Sequence, residues 1–301
     1  MNSAIKLSIC CISYNHANFI AKAIDSFLSQ KVDFRYELVI SDDKSTDSTA
    51  QIIEEYSALH SDKIRVLPRD KNVGMNVNFF STLSACRGEY IAICEGDDYW
   101  TDINKLQRQV EILDSNPNIS FVFHDVEIRN DIQHASAYKP YADVPQAIGG
   151  FDDVLFNHFI PTLSIVFRKS STPNEWPSFF YKIRSPDRAL ALTLLLKGKY
   201  YHIPEKMGVY RHHDGGITKV PHAAEVLLQN DKLLYESFYE AFALEKDNNF
   251  SRRIALAYYT ASRRCFQCKR SAKGLHFFVS AFSLAPVFMS SYVFKKLIGF
   301  R

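Results

Sequence analysis

The sequence predicts an α/β protein: a mainly parallel, Rossmann-like sheet with helices on both faces, followed by a helical C-terminal extension. Three observations lead there. Short apolar runs alternate with stretches of helical period over the first hundred residues, two of those runs end in adjacent acids, and beyond about residue 220 only helical patterns remain. Strands covered on both faces read as unbroken apolar runs, and β-α-β order folds into a parallel sheet.

Residues 7–13 (LSICCIS) make the first strand, and Tyr14-Asn15-His16 supplies turn chemistry after it. From Ala17 to Gln30, Phe19, Ile20, Ala23, Ile24, Phe27 and Leu28 recur at helical spacing. Residues 36–41 (YELVIS) form the second strand and end in Asp42 and Asp43, with several N-cap candidates before a helix through Ile52, Ile53 and Tyr56. Residues 64–68 are a short third strand. The next helix ends near Cys86, with Gly88 placed to stop it. Tyr90 to Cys94 is a buried strand that runs into Glu95-Gly96-Asp97-Asp98. Further on, the patterns predict a helix over 105–113, a strand over 119–128, an irregular mobile loop over 129–149 and a strand over 161–168. A helix opened by Asp187 follows, then strands at 200–203 and 207–210.

With 301 residues, 47% of them hydrophobic, the chain can bury a large core. The expected division is a catalytic domain over 1–220 and a basic helical extension over 221–301. The net charge of +3 hides an asymmetry: residues 250–301 hold ten Lys and Arg and no Asp or Glu, leaving 26 basic against 33 acidic side chains before them. Nucleic acid is not an expected partner, because no recognised binding module accompanies the charge. Cys10, Cys11, Cys86 and Cys94 lie in apolar segments, which suits a reducing compartment. Cys265 and Cys268 have only His276 nearby as a further zinc-type ligand, too few for a closed site. No apolar leader precedes the first strand, so the expected location is the cytoplasm. Leu275 to Phe294 is free of formal charge for twenty residues, but Pro286, His276 and four serines interrupt it. Two short amphipathic helices broken at Pro286 fit better than a span, either packed on the body or lying on the inner face of a membrane as a peripheral contact.

In open α/β sheets ligands gather beyond the carboxyl ends of strands, where both acid pairs stand. Asp97 and Asp98 repel each other unless a cation or hydrogen-bond donors offset the charge. A hard divalent ion, Mn²⁺ or Mg²⁺, would do so and commonly arrives with phosphates. No glycine-rich loop follows the first strand, which counts against a sugar nucleotidyltransferase. The other rival is a non-catalytic nucleotide-binding module on the same fold.

The segments ISYN (12–15), ISDDKSTD (40–47), Asn72-Val73-Gly74 with Asn78, RGEYI (87–91), EGDD (95–98) and YRHHDGGIT (210–218) together resemble glycosyltransferase family two, the inverting nucleotide-sugar enzymes of the glycosyltransferase A fold. The resemblance covers roughly residues 5–218. It implies that Ser13, Tyr14, Asn15, Asp43 and Asn72 hold the nucleotide of a nucleoside diphosphate sugar, UDP being the expected nucleotide. It further implies that Asp97 meets the ribose and helps place the cation, that Asp98 coordinates it, and that Arg211 faces the diphosphate. His212 or His213 is implied as a further group facing the diphosphate or the cation, His213 being the metal candidate. Asp187 is the implied catalytic base, although its flanks read Ser185-Pro186-Asp187-Arg188, not the common Glu-Asp pair. Glu95 stands where many members carry Asp and is expected to support the cation only from behind its ligands. The implied reaction is sugar transfer to a glycan or lipid-linked acceptor in surface polysaccharide synthesis.

Overall fold

The computed structural model describes residues 4–130, 135 and 136, 144–157, 159–215 and 223–297. Most of the irregular stretch expected over 129–149, and Gly216 to Thr218 of the last motif, lie outside the described residues.

In chain order the elements are β1 (Leu7–Ser13), α1 (Ile20–Leu28), β2 (Tyr36–Asp42), α2 (Thr49–Leu59), β3 (Ile64–Val66), α3 (Met75–Ala85), β4 (Tyr90–Ile93), β5 (Tyr99–Trp100), α4 (Lys105–Ser115) and β6 (Ile119–Asn130). There follow β7 (Ala135–Ser136), β8 (Ile148–Gly149), α5 (Phe151–Phe156), β9 (Val166–Arg168), α6 (Pro186–Leu195), β10 (Lys199–His212), α7 (Ala224–Ala241), α8 (Asn248–Gln267), α9 (Ser271–Leu284) and α10 (Pro286–Leu297). The chain falls into two compact units. One holds residues 1–176 and 190–217, the other 177–189 and 218–301.

The first unit is built on a single sheet of order β3-β2-β1-β4-β9-β6-β10-β5, with β7 on β6 and β8 on β10. β1 runs parallel to β2 and β4, β2 to β3, and β6 to β10. All seven residues of β1 are buried, as a strand covered on both faces requires. Two expectations need correction. The stretch 161–168 is not one strand: Thr162–Ser164 forms a turn of 3₁₀ helix, and only β9 joins the sheet, antiparallel to β4 and β6. The two short strands expected at 200–203 and 207–210 are instead one long strand, β10. Its register against β6 shifts between Ile203 and Lys206, across Pro204, which has no N–H to give to the ladder.

Gly88 has a different task from the one predicted. α3 stops at Cys86, which is already extended, while a Cβ on Gly88 would lie 2.4 Å from the Ser8 nitrogen. Glycine is there so that the chain can pass against β1. Beside it, Glu37 of β2 is buried with its Oε1 accepting from the Ser8 hydroxyl (2.7 Å) and the Arg87 N–H (2.9 Å), and its Oε2 accepting from the Arg87 guanidinium (2.6 Å). Burial pushes the Glu37 carboxyl up, but the Arg87, Ser8 and Arg65 donors outweigh it and bring its pKa down to about 2.

In the second unit, α7 packs on α8 and α8 on α9 around Ala224, Leu228, Ala257, Ala261, Cys265 and Phe277. Asp247 caps α8 by accepting from the Phe250 N–H at 3.0 Å. α9 and α10 are separated at Ala285, where Pro286 opens the new helix, as the sequence predicts. Among the described residues no helix is long and apolar enough to cross a membrane.

Candidate functional site

The carboxyl ends of β1, β2 and β4 lie side by side, because β1 is central and pairs in parallel with both neighbours. The loops leaving them are bound to one another. The Asp43 N–H donates to the Ser13 carbonyl at 2.8 Å, and the Gly96 N–H to the Ile12 carbonyl at 2.9 Å.

At the β2 exit both acids are engaged by the backbone. Asp42 accepts from the Ser45 N–H at 2.8 Å and from the Ser45 hydroxyl. Asp43, only 3% exposed, accepts the Val73 N–H on Oδ1 (2.7 Å) and the Gly74 N–H on Oδ2 (2.9 Å). Asn72 donates to the Asp43 carbonyl at 3.0 Å. This carboxylate therefore fixes the loop that begins α3, and Asn72 is tied to it.

The β1 exit turns through Asn15, whose φ of 55° is left-handed, a conformation that asparagine tolerates. Asn15 Oδ1 accepts the Thr46 N–H at 2.8 Å, and the Asn15 N–H donates to the Ser45 hydroxyl at 2.8 Å. Tyr14 projects outward, exposed, while the Ser13 hydroxyl is buried with no hydrogen-bond partner. The same turn delivers His16.

At the β4 exit the chemistry is different. Asp97 Oδ2 stands 3.0 Å from His213 Nε2 and 3.7 Å from His16 Nε2. The ligand atoms of His16, Asp97 and His213 all lie within 4.8 Å of one another. Burial raises the Asp97 carboxyl, yet the His213 hydrogen bond and the two nearby imidazoles outweigh it and leave the carboxyl below its ordinary value. Burial lowers His16 and favours the neutral ring, the form that ligates a metal. Its Nδ1 is buried with no partner. Two imidazoles and a carboxylate at this spacing are a donor set that fits a divalent transition ion.

Asp98 lies next to Asp97 in the chain. It is 2% exposed, and its Oδ1 accepts the Arg211 backbone N–H at 2.8 Å. Burial, with Asp97 and Glu95 close by, pushes its carboxyl well above the ordinary range. The Arg211 guanidinium donates to the Asp97 carbonyl at 2.7 Å and lies over the Tyr99 ring at 4.4 Å and the Phe19 ring at 5.2 Å. Of the two histidines, His213, one residue past β10, meets Asp97, while His212 packs on Tyr210.

Ser13, Asn15, Asp43, Asn72, Asp97, Asp98, Arg211 and His213 are thus all carried by the strand ends and adjoining loops of one sheet. Asp187 belongs to the other unit, half-buried in the first turn of α6. His16 was read only as turn chemistry. A histidine one residue past the ISYN segment was the sole signal for it in the sequence.

This mainly parallel α/β sheet with helices on both faces is the glycosyltransferase A fold, and two solved structures share it. TarS of S. aureus in complex with UDP-GlcNAc superposes with a TM-score of 0.66 at 16% identity, over 92% of this chain and 80% of that one. The mannosyltransferase PcManGT of Pyrobaculum calidifontis, in complex with GDP-Man and Mn²⁺, gives 0.61 at 14% identity, over 98% and 81%. The family model "Glycosyl transferase family 2" matches residues 8–186, more than half the sequence, so the chain belongs to glycosyl transferase family 2. An uncharacterised protein of Mycobacterium tuberculosis, Rv1520, is 40% identical over 212 residues, 70% of this chain and 60% of its own length. This chain thus spans somewhat under two thirds of the mycobacterial relatives it matches. The Escherichia coli enzyme WfgD, named UDP-Glc:alpha-D-GlcNAc-diphosphoundecaprenol beta-1,3-glucosyltransferase, is 33% identical over 63% of this chain and 69% of its own.

Proposed function

We propose that the protein is a metal-dependent inverting glycosyltransferase that moves a sugar from a nucleoside diphosphate sugar, with UDP as the expected nucleotide, to a glycan or lipid-linked acceptor in surface polysaccharide synthesis. The observation that carries this reading is Asp97 held between two imidazoles at the β4 exit, beside the fixed guanidinium of Arg211. Structural and named relatives that use UDP and GDP sugars support it.

Asp97 and His213 would hold Mn²⁺ or Mg²⁺. Asp98, whose Oδ1 already accepts the Arg211 N–H, would position β10 at their side in place of ligating directly. When bound, the cation takes up charge on the departing diphosphate. Arg211 adds a second positive charge, lying over Tyr99 and Phe19. Asp43 and Asn72, with the backbone of Ser13 to Asn15, would receive the nucleoside. Asp187 is the proposed base. It takes the proton of the acceptor hydroxyl as that oxygen bonds to the anomeric carbon, while the bond from that carbon to the diphosphate oxygen breaks and the configuration inverts.

Residues 250–301 would place the enzyme on the inner face of a membrane. Exposed basic residues such as Lys269, Lys295 and Lys296 would meet anionic headgroups, and Leu275, Val279, Val287 and Phe294, all more than half exposed, would supply apolar contacts. That position suits a lipid-linked acceptor.

The test is turnover of a panel of nucleotide sugars by the purified protein, with and without chelator. Chelation should abolish transfer and Mn²⁺ should restore it. Undiminished turnover by Asp97→Ala would remove the metal from the reading, and nucleotide binding without turnover on any donor would favour a binding module.

A further inference from the structure

We propose that His16 is the third protein ligand of the cation, and that the resulting pair of imidazoles with one carboxylate makes this site selective for Mn²⁺ and similar first-row ions over Mg²⁺. This rests on the reading above that Asp97 and His213 bind a divalent ion, and goes beyond it by naming the ligand and the metal class.

His16 is placed by a built turn, not by a loose loop. The Asn15 N–H is held by Ser45, the Asn15 side chain by Thr46, the His16 N–H by the Thr49 hydroxyl at 2.8 Å and the Ala17 N–H by Asp47 at 3.1 Å. Asp47 is itself fixed by the Thr49 N–H at 3.0 Å. These bonds join the β1 exit to the start of α2, so the ring is presented from a clamped backbone. Gly96 makes room for it: a Cβ there would lie 3.2 Å from His16 Nδ1 and 2.7 Å from Ile20 Cδ1. The His16 and His213 rings meet edge to face with centroids 6.0 Å apart, and Phe19 covers His213 at 4.6 Å.

Donors bonded to one ion at about 2.1 Å stand about 3–4 Å from each other. The three ligand atoms here lie within 4.8 Å, so closing on an ion asks only for small side-chain movements. A buried histidine usually has both ring nitrogens satisfied. His16 does not, since its Nδ1 has no hydrogen-bond partner and its Nε2 reaches Asp97 only at 3.7 Å. Mg²⁺ keeps to oxygen ligands and gives up water reluctantly, whereas imidazole suits the first-row transition ions, Zn²⁺ and Fe²⁺ more than Mn²⁺. Two nitrogens among three protein donors therefore discriminate against Mg²⁺.

The experiment measures Mn²⁺ binding to the full chain in the presence of UDP, following free Mn²⁺ by electron paramagnetic resonance and bound nitrogen by the ¹⁴N modulation of the Mn²⁺ echo. The wild-type protein should show two coupled imidazole nitrogens and should bind Mn²⁺ well ahead of Mg²⁺. His16→Ala should lose one nitrogen and about 10–100-fold in Mn²⁺ affinity, while Mg²⁺ affinity changes less than about twofold. His16→Asn, which keeps a polar side chain on the turn, should behave likewise, and circular dichroism confirms that both variants are folded. Unchanged nitrogen modulation and Mn²⁺ affinity in both variants would overturn the assignment of His16 and leave the Asp97–His213 reading standing. A wild-type protein that takes up no Mn²⁺ would overturn both.

Discussion

The exits of β2 and β4 carry the same signature, a strand followed by two acids, and they have become opposite things. At β2, Asp42 and Asp43 spend their oxygens on Ser45, Val73 and Gly74, all within the loops they organise. At β4, only Asp98 is spent in this way, on the Arg211 N–H, and Asp97 faces two imidazoles. Adjacent carboxylates are costly to keep ionised together. The β2 pair meets that cost with backbone donors, whereas the β4 pair splits the work, with one acid buried in the scaffold and one turned toward nitrogen ligands. An Asp-Asp pair beyond a strand thus marks where chemistry can be placed, and the donors around each oxygen decide whether it is.

The sharpest way to break the comparison is Asp97→Asn. It should lower transfer by about 10²–10³-fold, measured with the preferred nucleotide sugar, while the thermal midpoint stays near that of wild type. A large loss of stability would instead place Asp97 in the same class as Asp43.

Glu37, at the other end of β2, is the fully structural carboxylate and should show the next largest effect. Its folded pKa is depressed to about 2 from 4.5, so its contribution is present above about pH 4.5 and is lost as pH falls toward 2. Glu37→Gln should cost on the order of 3 kcal/mol at neutral pH in urea unfolding. The gap from wild type should close between pH 4.5 and 2; a gap that does not depend on pH would show that packing, not charge, is what Glu37 contributes.

Asp43→Ala leaves the Val73 and Gly74 N–H groups without their acceptor and should cost about 2 kcal/mol of stability. UDP titration of the same variant sharpens the contrast. If Asp43 also receives the nucleoside, affinity falls along with stability; if stability alone falls, the β2 exit is scaffold only.

The smallest effect is expected for Arg211→Lys. An ammonium keeps the charge but loses the guanidinium's contacts over Tyr99 and Phe19, worth about 1 kcal/mol, or roughly fivefold in UDP affinity by calorimetry.

Much of the parallel half of the sheet was legible because its strands are unbroken apolar runs closed by turn residues. Leu7–Ser13 and Tyr90–Ile93 fall where the pattern predicts. β9 was not, since a three-residue strand beside a 3₁₀ turn has no period of its own. The continuity of β10 through Pro204 was hidden too, because a proline reads as a break while a bulge absorbs it. At the site, local sequence singled out Asp43, Asp97, Asp98, Arg211 and a histidine pair, but not His16, whose partners are 81 and 197 residues away along the chain.

By itself the sequence determined the alternation of strands and helices, the α/β class, the acids beyond β2 and β4, and the uneven distribution of charge toward residue 301. These are local properties, written in period, composition and turn chemistry. Which oxygen is consumed by a backbone N–H, which histidine of the pair meets Asp97, and that His16 joins them were decided only when parallel pairing brought the ends of β1, β2 and β4 side by side and β10 carried His213 to Asp97. Hydrogen bonds and ligand geometry depend on separations of a few ångströms between residues far apart in the chain, and no local pattern records those.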